Sequence, residues 1–433
     1  MSKTVETNRK MKESGTKWLG EIPYDWEVRK LKYIVNFVES GGTPTSSIPE
    51  FYSDNGVAWV SIADMSSTNF VLSTKKKVTE LGIENKKLKT FPTGTLLYSI
   101  YATIGKVSEL KIPATINQAI LAIGANEEKI LNTYLKYQLS AMESYVISDT
   151  SSSTQANLNA EKVKNFILSI PPLQEQQAIA NYLDEQVGKI DGLISEQKQA
   201  IEKWKTYKQS LITETVTKGL NPDVEMKDSG IEWIGEIPIE WEVEKIKNKF
   251  VLRKEVNSDE NAILLSLFTH IGVKPRSEME EKGNKATTVI NYSIVKRNDI
   301  IVNKLLAWMG AIAISDYEGV CSPDYDVYTL RDKNNCSKYY HYLFRTDSFK
   351  GECYRNGKGI MLMRLRTYYQ EFKNIYIPKI SATEQQAIAD FLDEKCLNID
   401  ETIEQKQLLI QQLEEYKQSL IYECVTGKRW VRC

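Results

Sequence analysis

Histidine is nearly absent from this sequence: 433 residues contain only His270 and His341. Neither belongs to an H-E-x-x-H pair or a His/Cys cluster, which argues against the common metal sites and against histidine as a general base. The six cysteines (Cys321, Cys336, Cys353, Cys396, Cys424, Cys433) all lie in the second half, and none forms a C-x-x-C pair. A zinc cage or disulfide framework is not expected; a reducing, cytoplasmic setting is. No run approaches ~18 apolar residues, so no membrane-spanning helix is expected. Met1–Lys12 is polar and lacks the apolar stretch of a secretory signal. There is no G-x-x-x-x-G-K-[ST], no G-x-G-x-x-G after a strand, and no Asn-Pro-Pro-aromatic motif, since Pro171-Pro172 follows Ile170. Asp223, Glu225 and Lys227 imitate a nuclease set, but they sit together in one linker, whereas a nuclease core draws such residues from two strands. We therefore expect no catalytic and no metal-binding residues. Basic excess is missing too: 56 Lys and Arg stand against 57 Asp and Glu, a net charge of −1. Nucleic-acid binders usually show the opposite.

What is present is a duplication. Hydrophobics at 42% and charged residues at 26% suit a globular chain, and the length suggests two to four domains at ~150 residues each. Lys12–Lys32 (KESGTKWLGEIPYDWEVRKLK) matches Lys227–Lys247 (KDSGIEWIGEIPIEWEVEKIK) at 13 of 21 positions, offset by 215. Glu175–Gly219 matches Glu384–Lys428 at 22 of 45 positions, offset by 209. Unrelated sequences agree at roughly one position in fifteen. The plan is a short motif, a variable region and a long helical block, all used twice. The variable regions, about 33–174 and 248–383, look largely unlike each other.

The helical blocks carry apolar residues at alternating spacings of three and four. In the first copy these are Ile179, Leu183, Val187, Ile190, Ile194, Ile201, Trp204 and Leu211; in the second they are Ile388, Leu392, Cys396, Ile399, Ile403, Ile410, Leu413 and Leu420. Such a narrow stripe is the seam of a coiled coil. Gln197/Lys406 and Lys208/Lys417 interrupt it and can fix register. Each helix should run about 43 residues, roughly 65 Å, with Gly219 and Gly427 at the stops. Gly188 and Gly192 are candidate bend points. A generic dimerisation coil fits this pattern, as does pairing of the two copies within one chain.

The variable regions read as mixed α/β with short strands at Val57–Ile62, Thr95–Ser99, Ala119–Ile123 and Ile300–Val302, and a loop at Gly41–Thr45. Lys75–Lys77 and Lys86-Lys87 flank a predicted turn region. Lys358, Arg364 and Arg366 form a basic stretch, and YSIYATIGK brings Tyr98, Tyr101, Thr103 and Lys106 together. Lysine neutralises phosphates and arginine reads guanine. Each cluster also reads as an ordinary solvated face, and Trp308 in LLAWMG also reads as core.

Together these segments resemble the DNA-specificity subunit of type I restriction–modification enzymes. The resemblance is carried by SGIEWIGEIPIEWEV and its first copy, by GGTPTSSIPEFYSDNGVAWVSIADM, and by LLYSIYATIGKVSEL with ATINQAILAI. STQANLNAEKVKNFILSIPPLQEQQAIANYLDE, NDIIVNKLLAWMGAIAIS and GVCSPDYDVYTL extend it over nearly the whole chain in the family's order. It implies α+β target-recognition domains over 1–172 (motif 12–32, variable region 33–172) and 220–380 (linker and motif 220–247, variable region 248–380). It implies conserved helices over 173–219 and 381–433, packed as an antiparallel coiled coil with pseudo-twofold symmetry. It further implies that each domain reads half of an asymmetric bipartite site in double-stranded DNA, with helix length setting the spacing. The chain would hold no cofactor. Two methyltransferase subunits, docked on the helices, would use S-adenosylmethionine; restriction/translocase subunits would use ATP and Mg.

Recognition domains vary because they read different bases, so the resemblance does not locate base contacts. The residues expected to touch DNA are Thr43, Thr45, Lys75, Lys76, Lys77, Tyr101, Thr103 and Lys106 in the first domain. In the second they are Lys304, Trp308, Lys358, Arg364 and Arg366. A stand-alone nuclease or methyltransferase and a coiled-coil protein-binding scaffold are the competing readings. Charge partition favours DNA: Gln174–Thr217 carries −2 and Glu384–Thr426 carries −7, which leaves +8 on the remainder.

Overall fold

The computed structural model describes residues 9–65, 69–152, 158–269, 271–278, 288–359 and 365–432. The chain forms two compact units, Met1–Gln197 with Leu408–Cys433, and Lys198–Gln407. The first unit therefore takes its last element from the far end of the sequence.

The first unit is built on a five-stranded sheet in the order Val35–Ser40, Ile120–Ala125, Leu96–Ser99, Val107–Leu110, Phe70–Val71. Its first four strands are antiparallel neighbours. Side chains alternate across a strand, and here both faces are covered. Leu121, Ile123, Leu96 and Tyr98 enter a core with Trp26 and Tyr134. Ile120, Ala122 and Leu97 enter a second core with Val60, Phe91 and Ile116. The strands consequently read as continuous apolar runs rather than as alternating ones.

The second unit repeats this sheet. Phe250–Leu252, Tyr325–Leu330, Ile300–Asn303 and Ile312–Ile314 follow in the same order, all antiparallel. Ile300, Val302, Ile312 and Tyr328 face one core, Ile301, Ala313 and Val327 the other. The variable regions, dissimilar in sequence, thus share a four-stranded frame. The expected strands appear with shifted ends, for example Tyr52–Val60 where Val57–Ile62 was expected. The expected turn region between Lys75–Lys77 and Lys86 is a short strand, Lys76–Val78, and a helix, Glu80–Lys86. Thr79 caps that helix by accepting the Gly82 N–H at 3.3 Å.

The long helices are Leu173–Lys218, 46 residues, and Ala382–Val425, 44 residues. The central helix passes through Gly188 and Gly192 without a break. Gly219 and Gly427 end the two helices with φ of +80° and +72°, the left-handed geometry that glycine adopts cheaply. Every predicted seam position is buried or half-buried. In the first unit, Ile179, Leu183, Ile190 and Ile194 share one core with Leu420 and the half-buried Ile410 and Leu413. The segments run antiparallel there, since Tyr182 meets Arg429 whereas Asp191 meets Lys417. In the second unit, Leu211 packs with Ile388 and Leu392, and Lys208 bonds Asp400 at 2.6 Å. By the repeat offset Asp191 corresponds to Asp400, and Lys208 to Lys417, so each unit holds the same ion pair. Such part-exposed pairs are worth at most about 1 kcal/mol. Burying one isoleucine or leucine is worth about 1.5–3 kcal/mol, so the seam holds the helices and the ion pairs select register.

The repeated motif fastens each helix start. Strand Glu27–Lys30 pairs with Ile167–Ile170, and Glu242–Lys245 with Tyr376–Lys379. Trp18 donates to Ile167 O at 2.8 Å and Trp233 to Tyr376 O at 3.1 Å. Trp26 donates to Glu175 at 2.9 Å, and Trp241 to Glu384 at 3.1 Å. Arg9 adds an ion pair to Glu175 at 2.5 Å. No arginine meets Glu384 among the described residues, and burial pushes its carboxyl up. The neighbouring glutamines are fully buried clamps. Gln176 donates to Pro171 O and Lys129 O and accepts the Leu131 N–H at 2.8 Å. Gln385 donates to Ile380 O, Asn335 and Tyr340, and accepts the Cys336 N–H at 2.9 Å.

Two predictions follow from buried polar groups. Gln176→Met keeps the volume but orphans three partners, so denaturant unfolding should show a loss of about 2–4 kcal/mol. His341 accepts the Ile314 N–H at 3.2 Å, and burial pushes it down to about 3 from 6.5. Between those values the unfolded chain binds the proton and the folded chain does not. The neutral form's stability is therefore complete above 6.5 and falls as pH drops. From pH 7 to 5.5 the wild type should lose about 1 kcal/mol more than His341→Asn, measured by urea titration at each pH.

Candidate nucleic-acid interface

Both sheets end in the same construction. A hairpin loop joins Leu96–Ser99 to Val107–Leu110, and another joins Ile300–Asn303 to Ile312–Ile314. Beside each lies the turn that leads into the neighbouring strand, residues 117–119 or 322–324. Ile100 N donates to Ala119 O at 2.9 Å in the first unit, and Lys304 N to Asp324 O at 3.3 Å in the second. Among the described residues expected to contact DNA, Tyr101, Thr103, Lys106 and Lys304 lie on these two hairpin loops.

In the first unit the turn 117–119 is pinned from both sides: Asn117 N donates to Val60 O at 3.0 Å, and Asn117 Oδ1 accepts the Ala119 N–H at 3.0 Å. The Thr43 hydroxyl donates to the amide oxygen of Gln118. Thr43 is itself held, because Gly42 N donates to Ile116 O at 2.9 Å and Trp59 Nε1 to Gly42 O at 3.0 Å. The glycine here is a packing requirement: a Cβ on Gly41 would lie 2.0 Å from Ile116 O. Thr45 is exposed on the same loop. Tyr101 is 45% exposed at the hairpin, and Thr103 lies 3.4 Å from Ser99 Oγ. Lys76 sits 5.7 Å from the Tyr52 ring centre, and Tyr52 OH donates to Pro44 O at 2.8 Å. Thr43, Lys76 and the Gly41–Thr45 loop therefore share one surface, tied through Gln118 and Ala119 to Tyr101.

The cations differ in how free they are. Lys106 pairs with Glu143 at 3.0 Å, and Lys77 donates to Asp54 O at 2.8 Å. Lys75 is exposed, and although its backbone N–H donates to Asp64 Oδ1 at 3.1 Å, no acid pairs with its ammonium or with that of Lys76 among the described residues. In the second unit, Lys304 donates to Pro323 O at 2.8 Å and lies 3.5 Å from Asp326. Burial holds the Asp326 carboxyl above its usual range, and Lys304 only partly offsets this. Lys358 and Arg366 form a two-residue bridge, with N–O distances of 2.9 and 3.0 Å, and Thr367 N donates to Lys304 O at 2.9 Å. Residues 304, 358 and 366 are thereby gathered. Lys358 pairs with Glu371 at 2.5 Å, while Arg366 is exposed with no acid paired to it among the described residues. Trp308 is half-buried, packs on the core, and donates to Leu305 O at 3.0 Å. Arg364, like His270, lies outside the described residues.

Gln118 was missed by the sequence reading. Its only signal was a polar pair, Asn117-Gln118, immediately before an apolar strand. Among the described residues no group of three or more His, Cys, Asp or Glu could hold a metal ion. Burial pushes the Cys321 and Cys424 thiols up to about 12, so neither is an activated nucleophile.

Residues 23–203 match the type I restriction modification DNA specificity domain. The putative MjaX specificity subunit of Methanocaldococcus jannaschii is 25% identical over 424 residues, 95% of each chain. The MjaIX specificity subunit of the same organism is 30% identical over 188 residues, 42% of each chain, so that match spans under half its length. Among solved structures, a chain from a type I R-M system studied for its assembly and conformational transition aligns with TM-score 0.67 and 11% identity. It covers 94% of this chain and 99% of its own. The HsdS subunit of Thermoanaerobacter tengcongensis aligns with TM-score 0.52 and 14% identity, covering 94% and 98%. With the duplicated motif, the two sheets and the paired helices already in place, the chain is similar to type I restriction–modification specificity subunits over nearly its whole length, and residues 23–203 carry the match to their specificity domain.

Proposed function

We propose that this chain is the sequence-reading part of a type I restriction–modification complex, with each unit addressing one half of a bipartite site in double-stranded DNA. One observation carries this reading: the same sheet edge is built twice and dressed with unlike side chains. Equal frames give equal docking; unlike edges give an asymmetric site. The chain contributes no catalytic group of its own. Methyltransferase subunits docked along the long helices supply methylation from S-adenosylmethionine, and restriction/translocase subunits supply ATP- and Mg-dependent cleavage. The helical segments set the half-site spacing, and the complex works in the cytoplasm.

Exchanging residues 33–174 for those of another specificity subunit, followed by sequencing of DNA retained by the complex, should change one half-site only. A change in the second half-site contradicts the reading. Retention should weaken steeply with salt, which a protein-binding scaffold would not show. Lys75→Ala should lower affinity about equally for all sequences and reduce the slope of log K against log salt by about 1. The purified chain with magnesium or S-adenosylmethionine should neither cleave nor methylate DNA; activity without partners supports the stand-alone enzyme instead.

A further inference from the structure

We propose that Gln118 is a base-reading residue of the first unit and that the base it reads is adenine. The inference rests on the DNA-recognition reading above and names one of its contacts. Four observations carry it.

Gln118 is exposed, at the tip of a turn whose backbone is fixed to both cores. Its amide is oriented, because the Thr43 hydroxyl donates to its oxygen. Among the described residues no other group bonds to that amide, which leaves one lone pair of the oxygen and both protons of the nitrogen for an outside partner. Adenine presents in the major groove an N6 amine that donates and an N7 that accepts, the complement of an oriented carboxamide. Guanine presents two acceptors at that edge and would leave the amide oxygen facing an oxygen.

The surroundings suit a duplex. Lys75, Lys86 and Lys87 are exposed on the same unit with no acid paired to them among the described residues. A Cβ on Gly42 would lie 3.8 Å from that of Lys86, which places the helix Glu80–Lys86 against the Thr43 loop. Phosphate contacts from such lysines position the edge and leave the choice of base to Gln118.

The second unit supplies the contrast. The position equivalent to Gln118, counted from the paired strands Ile120–Ala125 and Tyr325–Leu330, is Pro323. Proline offers no side-chain donor, and its carbonyl is taken by Lys304 at 2.8 Å. The carboxamide contact therefore belongs to one half-site and contributes to the asymmetry of the whole.

The test uses the complex with its methyltransferase subunits and sequencing of DNA selected from a random pool. Wild type should select a site whose first half contains an adenine that Gln118→Ala no longer requires. Discrimination at that one position should fall about 10- to 100-fold, with every other position kept. Thr43→Val, which leaves the amide unoriented, should weaken the same position by a smaller factor. A uniform loss of affinity in Gln118→Ala with the site unchanged would make the residue structural and overturn the inference. Relaxation at a base other than adenine would overturn it as well. If wild type selects no sequence at all, the DNA-recognition reading itself fails, a result distinct from both.

Discussion

Each unit is closed by a stretch of chain remote in sequence, and the rest of the structure depends on that closure. In the first unit Ser169 donates to Val425 O at 2.6 Å, and Tyr134 to the same carbonyl at 3.3 Å across 291 residues. In the second, Tyr339 donates to Val216 O at 2.9 Å. By the repeat offset Val216 and Val425 are the same position, so one buried tyrosine does the same work twice. These carbonyls end their helices, where no intrahelical partner remains. Leaving one orphaned in a dry core costs about 1–3 kcal/mol. Closing so long a loop is slow and entropically unfavourable, so the first unit is completed only once the last helix exists.

That closure does not draw on the exposed side chains at the sheet ends. The frame is held by apolar strands, tryptophan bonds to backbone and the Gln176 and Gln385 clamps, to which the hairpin loops add only their inward residues, such as Ile100 and Ala307. The exposed side chains there, such as Tyr101 and Gln118, can change without cost to the core. Thr43 with Gln118 in one unit and Lys304 with Arg366 in the other are two solutions on one scaffold. The cations divide in the same way: Lys106 and Lys358 are spent on internal ion pairs, while Lys75 and Arg366 face solvent.

Periodic features were legible in the sequence. The two helices announce themselves by a three-and-four apolar stripe, a tryptophan-rich motif and terminal glycines, and their ends fall within a few residues of expectation. The common sheet of the variable regions was not legible, because strands buried on both faces keep no alternation to read and the two copies share topology rather than residues. At the candidate site, composition pointed to exposed cations such as Lys75 and Arg366, but it could not separate them from Lys106 or Lys358, whose charge is answered by an acid distant in sequence. Gln118 gave almost no signal, since its importance lies in a bond to Thr43 across 75 residues. Charge averaging hid the rest: acidic helices cancel a basic remainder in the net value of −1.

The central claim is that one duplicated frame reads two different half-sites. Mapping methylated adenines across the DNA of a host that expresses this chain with its methyltransferase subunits tests it most directly. The account predicts one motif made of two unlike halves separated by a spacer of fixed length and unspecified sequence. A single contiguous motif, two identical halves, or a spacer of variable length would contradict it.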